Sequence, residues 1–146
     1  MEKDVLPEHK RAFRLAPSTI NPTGHTLLLP EYADPMEYVD LFGQRRFAAD
    51  KMQKVPVFTS ERFLCDQYCL EPGQAQRVHT HAGEDKVYVV LQGEALVEVG
   101  DEQELLAEGS AVIARAGVAH GVRNESDSRL VLLVVMAPKP ESAKNP

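Results

Sequence analysis

The stretch GQAQRVHTHAGEDKVYVVLQGEA, residues 73–95, decides how the rest of the chain is read. Its second half alternates. Lys86, Tyr88 and Val90 share one parity, Asp85, Val87 and Val89 share the other, and Gly93 ends the run. A two-residue period bounded by glycine predicts a β-strand with distinct faces. In the first half, His79 and His81 stand two apart, so on a strand both side chains project from one face with Cα atoms about 6.6 Å apart. At that spacing two imidazoles can reach one ion, although a histidine pair alone reads equally well as two partly exposed strand residues.

On either side the pattern continues. From Val55 onward, short runs rich in Val, Leu, Ile, Phe and Tyr alternate with Gly, Asp or Asn, which predicts an all-β protein of the sandwich or barrel type. Strands are expected near 55–59, 62–70, 75–81, 86–91, 94–99, 103–107, 110–114, 119–124 and 129–136. The last run, VLLVV, is apolar on both parities and should be covered on both faces. Residues 1–50 read differently, with prolines at 7, 17, 22, 30 and 35 and little periodicity, as an arm lying on the domain. One short helix is expected in DPMEYVDLFG, with Asp34 as N-cap, Pro35 first, Glu37 as capping partner, Gly43 as terminator and Met36, Val39 and Phe42 as its apolar stripe. The organisation expected is therefore an arm at 1–50, a barrel at 51–137, and a polar, proline-rich tail at 138–146 that frays.

Composition narrows the function. The 146 residues are 43% hydrophobic and 26% charged, enough for one domain with a core. A net charge of -6 argues against nucleic acid or an anionic membrane as partner, and the Arg45-Arg46 pair reads as a solvated face. No apolar run has the length of a signal peptide or a membrane span, so a cytoplasmic protein is expected. Cys65 and Cys69 lie four apart in one expected strand; their Cα atoms would be roughly 13 Å apart, beyond the reach of a disulfide. Both read as small buried apolar residues.

A third histidine strengthens the metal reading. His120 follows Gly117 in a strand that can run beside the first, whereas His9 and His25 fall in the arm and read as surface residues. Three neutral imidazoles suit Fe, Mn, Zn or Ni without choosing among them.

With these residues in hand, the spacings resemble the two motifs of the cupin superfamily, in the form of a small single-domain cupin. Gly73, His79, His81, position 86 and Gly93 are spaced as in G(x)5HxH(x)3–4E(x)6G; Gly109, position 115, Gly117, His120 and Asn124 as in G(x)5PxG(x)2H(x)3N. The resemblance covers about 52 residues directly. It implies a cupin jelly-roll barrel, the RmlC-like double-stranded β-helix, with a divalent transition metal held by His79, His81 and His120 inside. It also implies pairing of small cupins through apolar arms such as INPTGHTLLLP, hence a homodimer.

Two positions depart from the motifs. Arg115 stands where the second has proline, a turn change of little chemical weight. Lys86 stands where the first has its metal-binding glutamate. Asp85 takes that place only if a bulge reverses its parity, and Glu84 only if the loop is already strand. Lys86 itself has two readings: an ammonium reaching solvent at the barrel mouth, or a buried cation that pairs with an anion or gives up its proton. On the parity of the histidines, Arg77 reads as a second anion-binding group or as a rim residue. Tyr88 reads as a phenol offered to a ligand or as a core tyrosine.

Three functions fit these residues. One is a metal-dependent oxygenase or isomerase acting on a small organic acid. Another is a module that binds or senses a small, anionic molecule without turnover, with or without metal. Metal-free catalysis by a histidine and lysine pair, by analogy with the sugar-epimerase jelly rolls, is the third.

Overall fold

In the computed structural model of the protein, residues 35–141 are described. They contain nine strands and no helix. These are β1 (Gln53–Thr59), β2 (Leu64–Leu70), β3 (Ala75–His79), β4 (Asp85–Gln92), β5 (Glu94–Val99), β6 (Glu102–Ala107), β7 (Ala111–Ala114), β8 (His120–Arg123) and β9 (Leu130–Ala137). Each coincides with an expected strand to within two residues at both ends. The alternation and the glycine-rich breaks were strong local signals.

A five-stranded sheet runs β1-β2-β9-β4-β7, and a four-stranded sheet runs β3-β8-β5-β6. All pairings are antiparallel. The core between the sheets comprises Tyr68 and Leu70 of β2, Tyr88 and Val90 of β4, Ala95 and Val97 of β5, Val122 of β8, and Leu130, Leu132 and Val134 of β9. Strand β9 serves two clusters, since Val131 packs outside with Val55, Cys69, Phe47 and Leu91. Of its other outward residues, Leu133 and Val135 are half-buried and Ala137 is exposed, so the outer face is covered more fully at one end than at the other.

The cover at that end is chain N-terminal to β1. Gln67, buried on the outer face of β2, donates to the Leu41 carbonyl at 2.8 Å, and Gln74 donates to the Ala48 carbonyl at 2.7 Å. Each bond satisfies polar groups that packing removes from water. Cys65 and Cys69 are buried and free.

The expected helix over 34–43 begins outside the described residues, and its described part is not helical. A single turn at 41–44 is closed by Gln44 N–H donating to the Asp40 carbonyl at 3.1 Å. Asp40 Oδ1 caps that turn, accepting from the amides of Phe42 and Gly43 at 3.0 Å each. Local side-chain bonding of this kind competes with helix propagation. The start of the expected tail is also held: Lys139 N–H donates to the Arg62 carbonyl at 3.1 Å, and Pro140 borders the cleft described below.

Gly93 shows why a motif glycine is needed. Its φ is 82°, and a Cβ there would lie 2.5 Å from the Arg129 carbonyl oxygen. Only glycine meets both conditions.

Candidate metal centre

Strands β3 and β8 place the histidines. In their register Gln76 faces Val122 and His79 faces His120, so Arg77 and Val78 together oppose the single residue Gly121. Two residues against one is a β-bulge. Gly121 makes room for it: a Cβ there would stand 3.0–3.1 Å from Val78 and from the Gln76 carbonyl oxygen.

The bulge turns both Gln76 and His79 inward. Gln76 is buried, whereas Arg77 and Val78 are exposed. His81 follows in the loop beyond β3, and its Nε2 lies 3.1 Å from that of His79. The ligand atoms of His79, His81 and His120 all fall within 4.8 Å of one another.

Backbone carbonyls choose the tautomers. His79 Nδ1 donates to the Arg77 carbonyl and His120 Nδ1 to the Val118 carbonyl, each at 2.8 Å, so each Nε2 carries a lone pair. His120 Nε2 is buried with no hydrogen-bond partner. A buried acceptor without a donor is costly, and imidazole nitrogens this close together can share a cation. Burial holds all three imidazoles below their usual pKa, with the charge of Lys86 acting in the same direction. Neutral imidazoles are the metal-binding form.

Lys86 is wholly buried, at 0% exposure, and lies inside rather than at a solvated mouth. Its Nζ donates to Gln76 Oε1 at 3.2 Å and stands 3.5 Å from His79 Nε2. The rings of Tyr88 and Tyr68 flank it, with centroids 5.1 and 5.4 Å away. Burial, reinforced by the charge of Lys54 and opposed by that of Asp66, brings its pKa down to about 7. Tyr88 is a core residue whose hydroxyl donates to Gln76 Oε1 at 2.8 Å, and Gln76 Nε2 donates to the Tyr68 hydroxyl at 3.4 Å. Gln76 therefore joins the lysine to both tyrosines.

Neither neighbouring acid joins the histidines. Asp85 points outward as strand parity requires; its carboxylate accepts from Ala116 N–H at 2.8 Å and pairs with Arg115 at 3.4 Å. The arginine that replaces the motif proline thus helps hold Asp85 away from the barrel interior. Glu84 accepts from the amide of Gly83 at 3.2 Å. Among the described residues, the His, Cys, Asp and Glu side chains placed to share an ion are the three histidines.

A cleft of about 460 Å³ opens beside His79, His81 and Lys86, bordered also by Lys54, Asp66, Tyr68, Gln76 and Arg77. Of these, sequence reading missed Gln76, Lys54, Asp66 and Tyr68. Gln76 has the wrong parity for a regular strand, and the glycine that admits the bulge, Gly121, lies on β8, so nothing local marks it. Lys54 and Asp66 come from β1 and β2, whose side of the barrel only pairing reveals. Burial raises the pKa of Asp66, while Lys54 and Lys86 oppose that rise.

Fold and site together define a cupin, and the profile of the cupin domain matches residues 67–136. The chain belongs to the cupin superfamily. It is similar to TT1209 of Thermus thermophilus, a crystal structure 58% identical over 72% of this chain and 100% of that one, with a TM-score of 0.70. An RmlC-like cupin protein from Desulfovibrio desulfuricans is 29% identical over 73% of this chain and all of its own, with a TM-score of 0.65. An uncharacterized protein of Streptomyces coelicolor is 39% identical over 72 residues, 49% of this chain and 68% of its own. Among the described residues no helix is long and apolar enough to cross a membrane.

Proposed function

We propose that this cupin holds one divalent transition-metal ion through His79, His81 and His120, and captures a small organic anion between that ion and Lys86. The observation that carries the reading is Lys86, buried 3.5 Å from His79 with no carboxylate paired to it among the described residues. A buried ammonium is costly unless an anion joins it. Three neutral imidazoles leave the ion its full charge, so the site as a whole favours a negative ligand. Gln76 holds the amine in place, and the tyrosine rings exclude water around it.

The bound ion would supply Lewis acidity, polarising an oxygen of the ligand. Lys86 would then neutralise the acidic group that the missing glutamate would otherwise repel. This arrangement supports oxygenase or isomerase chemistry on a small acid. A second reading, metal-free work by Lys86 as an amine, draws on its Nζ standing 3.5 Å from His79 Nε2 in a buried place that lowers its pKa to about 7.

Elemental analysis of protein purified without added metal, beside a His79→Ala control, separates the two readings. One equivalent of Fe, Mn, Zn or Ni in the parent and none in the control supports the metal reading, and no metal in either overturns it. Lys86→Glu then tests the anion: it should raise metal affinity and abolish binding of small carboxylates. If both are unchanged, Lys86 takes no part. Turnover of the bound acid distinguishes an enzyme from a sensing module.

A further inference from the structure

We infer that the cleft is built for a small dianion, two acidic groups held apart by a short carbon chain, and that Lys54 reads the second group. The inference rests on the anion-binding reading above. Lys54 is directly opposite Tyr68 in the β1–β2 register, so the two side chains leave the same face of the sheet. Its Nζ stands 5.1 Å from the centre of the Tyr68 ring, and Lys86 Nζ stands 5.4 Å from the same centre. Tyr68 is thereby shared by an inner cation beside the histidines and an outer one toward solvent. Lys86 is wholly buried, Lys54 is exposed, and both border the one cleft.

The charge of this cleft is unlike that of the whole chain. The protein carries a net charge of -6, yet the cleft is bordered by Lys54, Arg77 and Lys86 against the single acid Asp66. Among the described residues, none of these three cations has a carboxylate within salt-bridge distance. Two ammonium groups sharing a ring repel each other, and a monoanion at the metal would relieve only the inner one. A dianion relieves both. The inner group takes the place between the ion and Lys86, and the outer group reaches Lys54 past the edge of Tyr68. Asp66 opposes this binding and keeps the empty cleft from excess positive charge.

The test is calorimetric titration of Ni2+-loaded protein with malonate, succinate, glutarate and adipate, against butyrate as the monoacid. At least one diacid should bind about fivefold or more tighter than butyrate at low salt, as expected for one added, partly screened ion pair. Lys54→Gln should bring that diacid to within about twofold of butyrate measured on the same variant, since the preference and not the absolute affinity reports the second ion pair. Lys51→Gln makes the same charge change at an exposed residue that does not border the cleft, and should preserve the preference. Asp66→Asn should strengthen it. Equal binding of diacids and butyrate by the parent, or a preference that survives Lys54→Gln, overturns the role of Lys54 while leaving the anion reading intact. Binding of none of these acids by metal-loaded parent overturns both. Melting curves of each variant confirm that the fold is kept.

Discussion

Strands β3 and β4 both belong to the stretch 73–95, but they obey different rules. In β4 the alternation is kept: Lys86, Tyr88 and Val90 are buried, while Asp85, Val87 and Val89 lie on the other face. In β3 it is broken, because Arg77 and Val78 share one partner and Gln76 turns inward with His79. Up to Val90, beyond which its register against β9 shifts, β4 contributes a cation and a core tyrosine at positions that parity foresees. Bulged β3, in the other sheet, contributes a metal ligand and a polar hub at positions that parity cannot both assign. A bulge of this kind lets two residues of opposite parity converge on one point, which a uniform strand forbids.

The sharpest break of this contrast is at His79, the ligand on the bulged strand. His79→Ala should lower affinity for added Ni2+ or Zn2+ by about a hundredfold or more, since two imidazoles remain where three converged. Excess chelator should lower the melting temperature of the metal-loaded parent and leave that of the variant unchanged. Equal affinity in parent and variant would remove the site.

Gln76 comes next. Gln76→Leu keeps much of the volume but leaves the Lys86 ammonium and the Tyr88 hydroxyl without their shared acceptor. The expected cost is about 3 kcal/mol in chemical denaturation, the range for orphaned buried donors. An exposed Gln76, as a regular β3 would have, predicts almost no change.

On β4, Lys86 gives a pH signature in metal-free protein. The folded amine titrates at about 7 and the unfolded one near 10.5, so between these values the unfolded chain binds more protons. Burial of the lysine therefore weakens the fold in full below pH 7, and the penalty fades as pH rises toward 10.5. Buried Cys65 and Cys69, whose thiols burial pushes up, act in the opposite sense at the alkaline end. The comparison that isolates Lys86 is parent against Lys86→Met: from about pH 7 to 9 the parent should gain roughly 2 kcal/mol relative to the variant. Parallel stability curves would place the ammonium in solvent.

The smallest effect belongs to the outward face of β4. Asp85→Asn should leave metal affinity within about twofold and cost less than about 1 kcal/mol, because its exposed pair with Arg115 is worth little and the amide oxygen can still accept from Ala116. A large loss of metal would make Asp85 a ligand after all.

Much of this was written locally. The nine strands follow from two-residue alternation and glycine breaks, and the three histidines with Lys86 follow from the spacing of the two motifs. That the lysine's amine is buried, and not carried out to solvent on its long stem, is another matter. Burial depends on Tyr68 from β2, Tyr88 from β4 and Gln76 from β3 closing around Nζ, and no single strand contains that arrangement. The segment 34–43 shows the same limit in reverse. It has the residues to start and stop a helix, but Asp40 caps a single turn while the Leu41 carbonyl goes to Gln67, 26 residues away.

The sequence by itself determined which residues alternate, where the chain turns, and that three imidazoles and one amine belong to the same two motifs. Those properties depend on neighbours along the chain, whose sterics and period act within a few residues. Tertiary structure alone decided that β3 bulges opposite Gly121, that Gln76 replaces Arg77 inside, and that Lys54 and Lys86 flank one ring. Each of these depends on which strand lies beside which, and pairing is governed by burial of the whole core rather than by any local run.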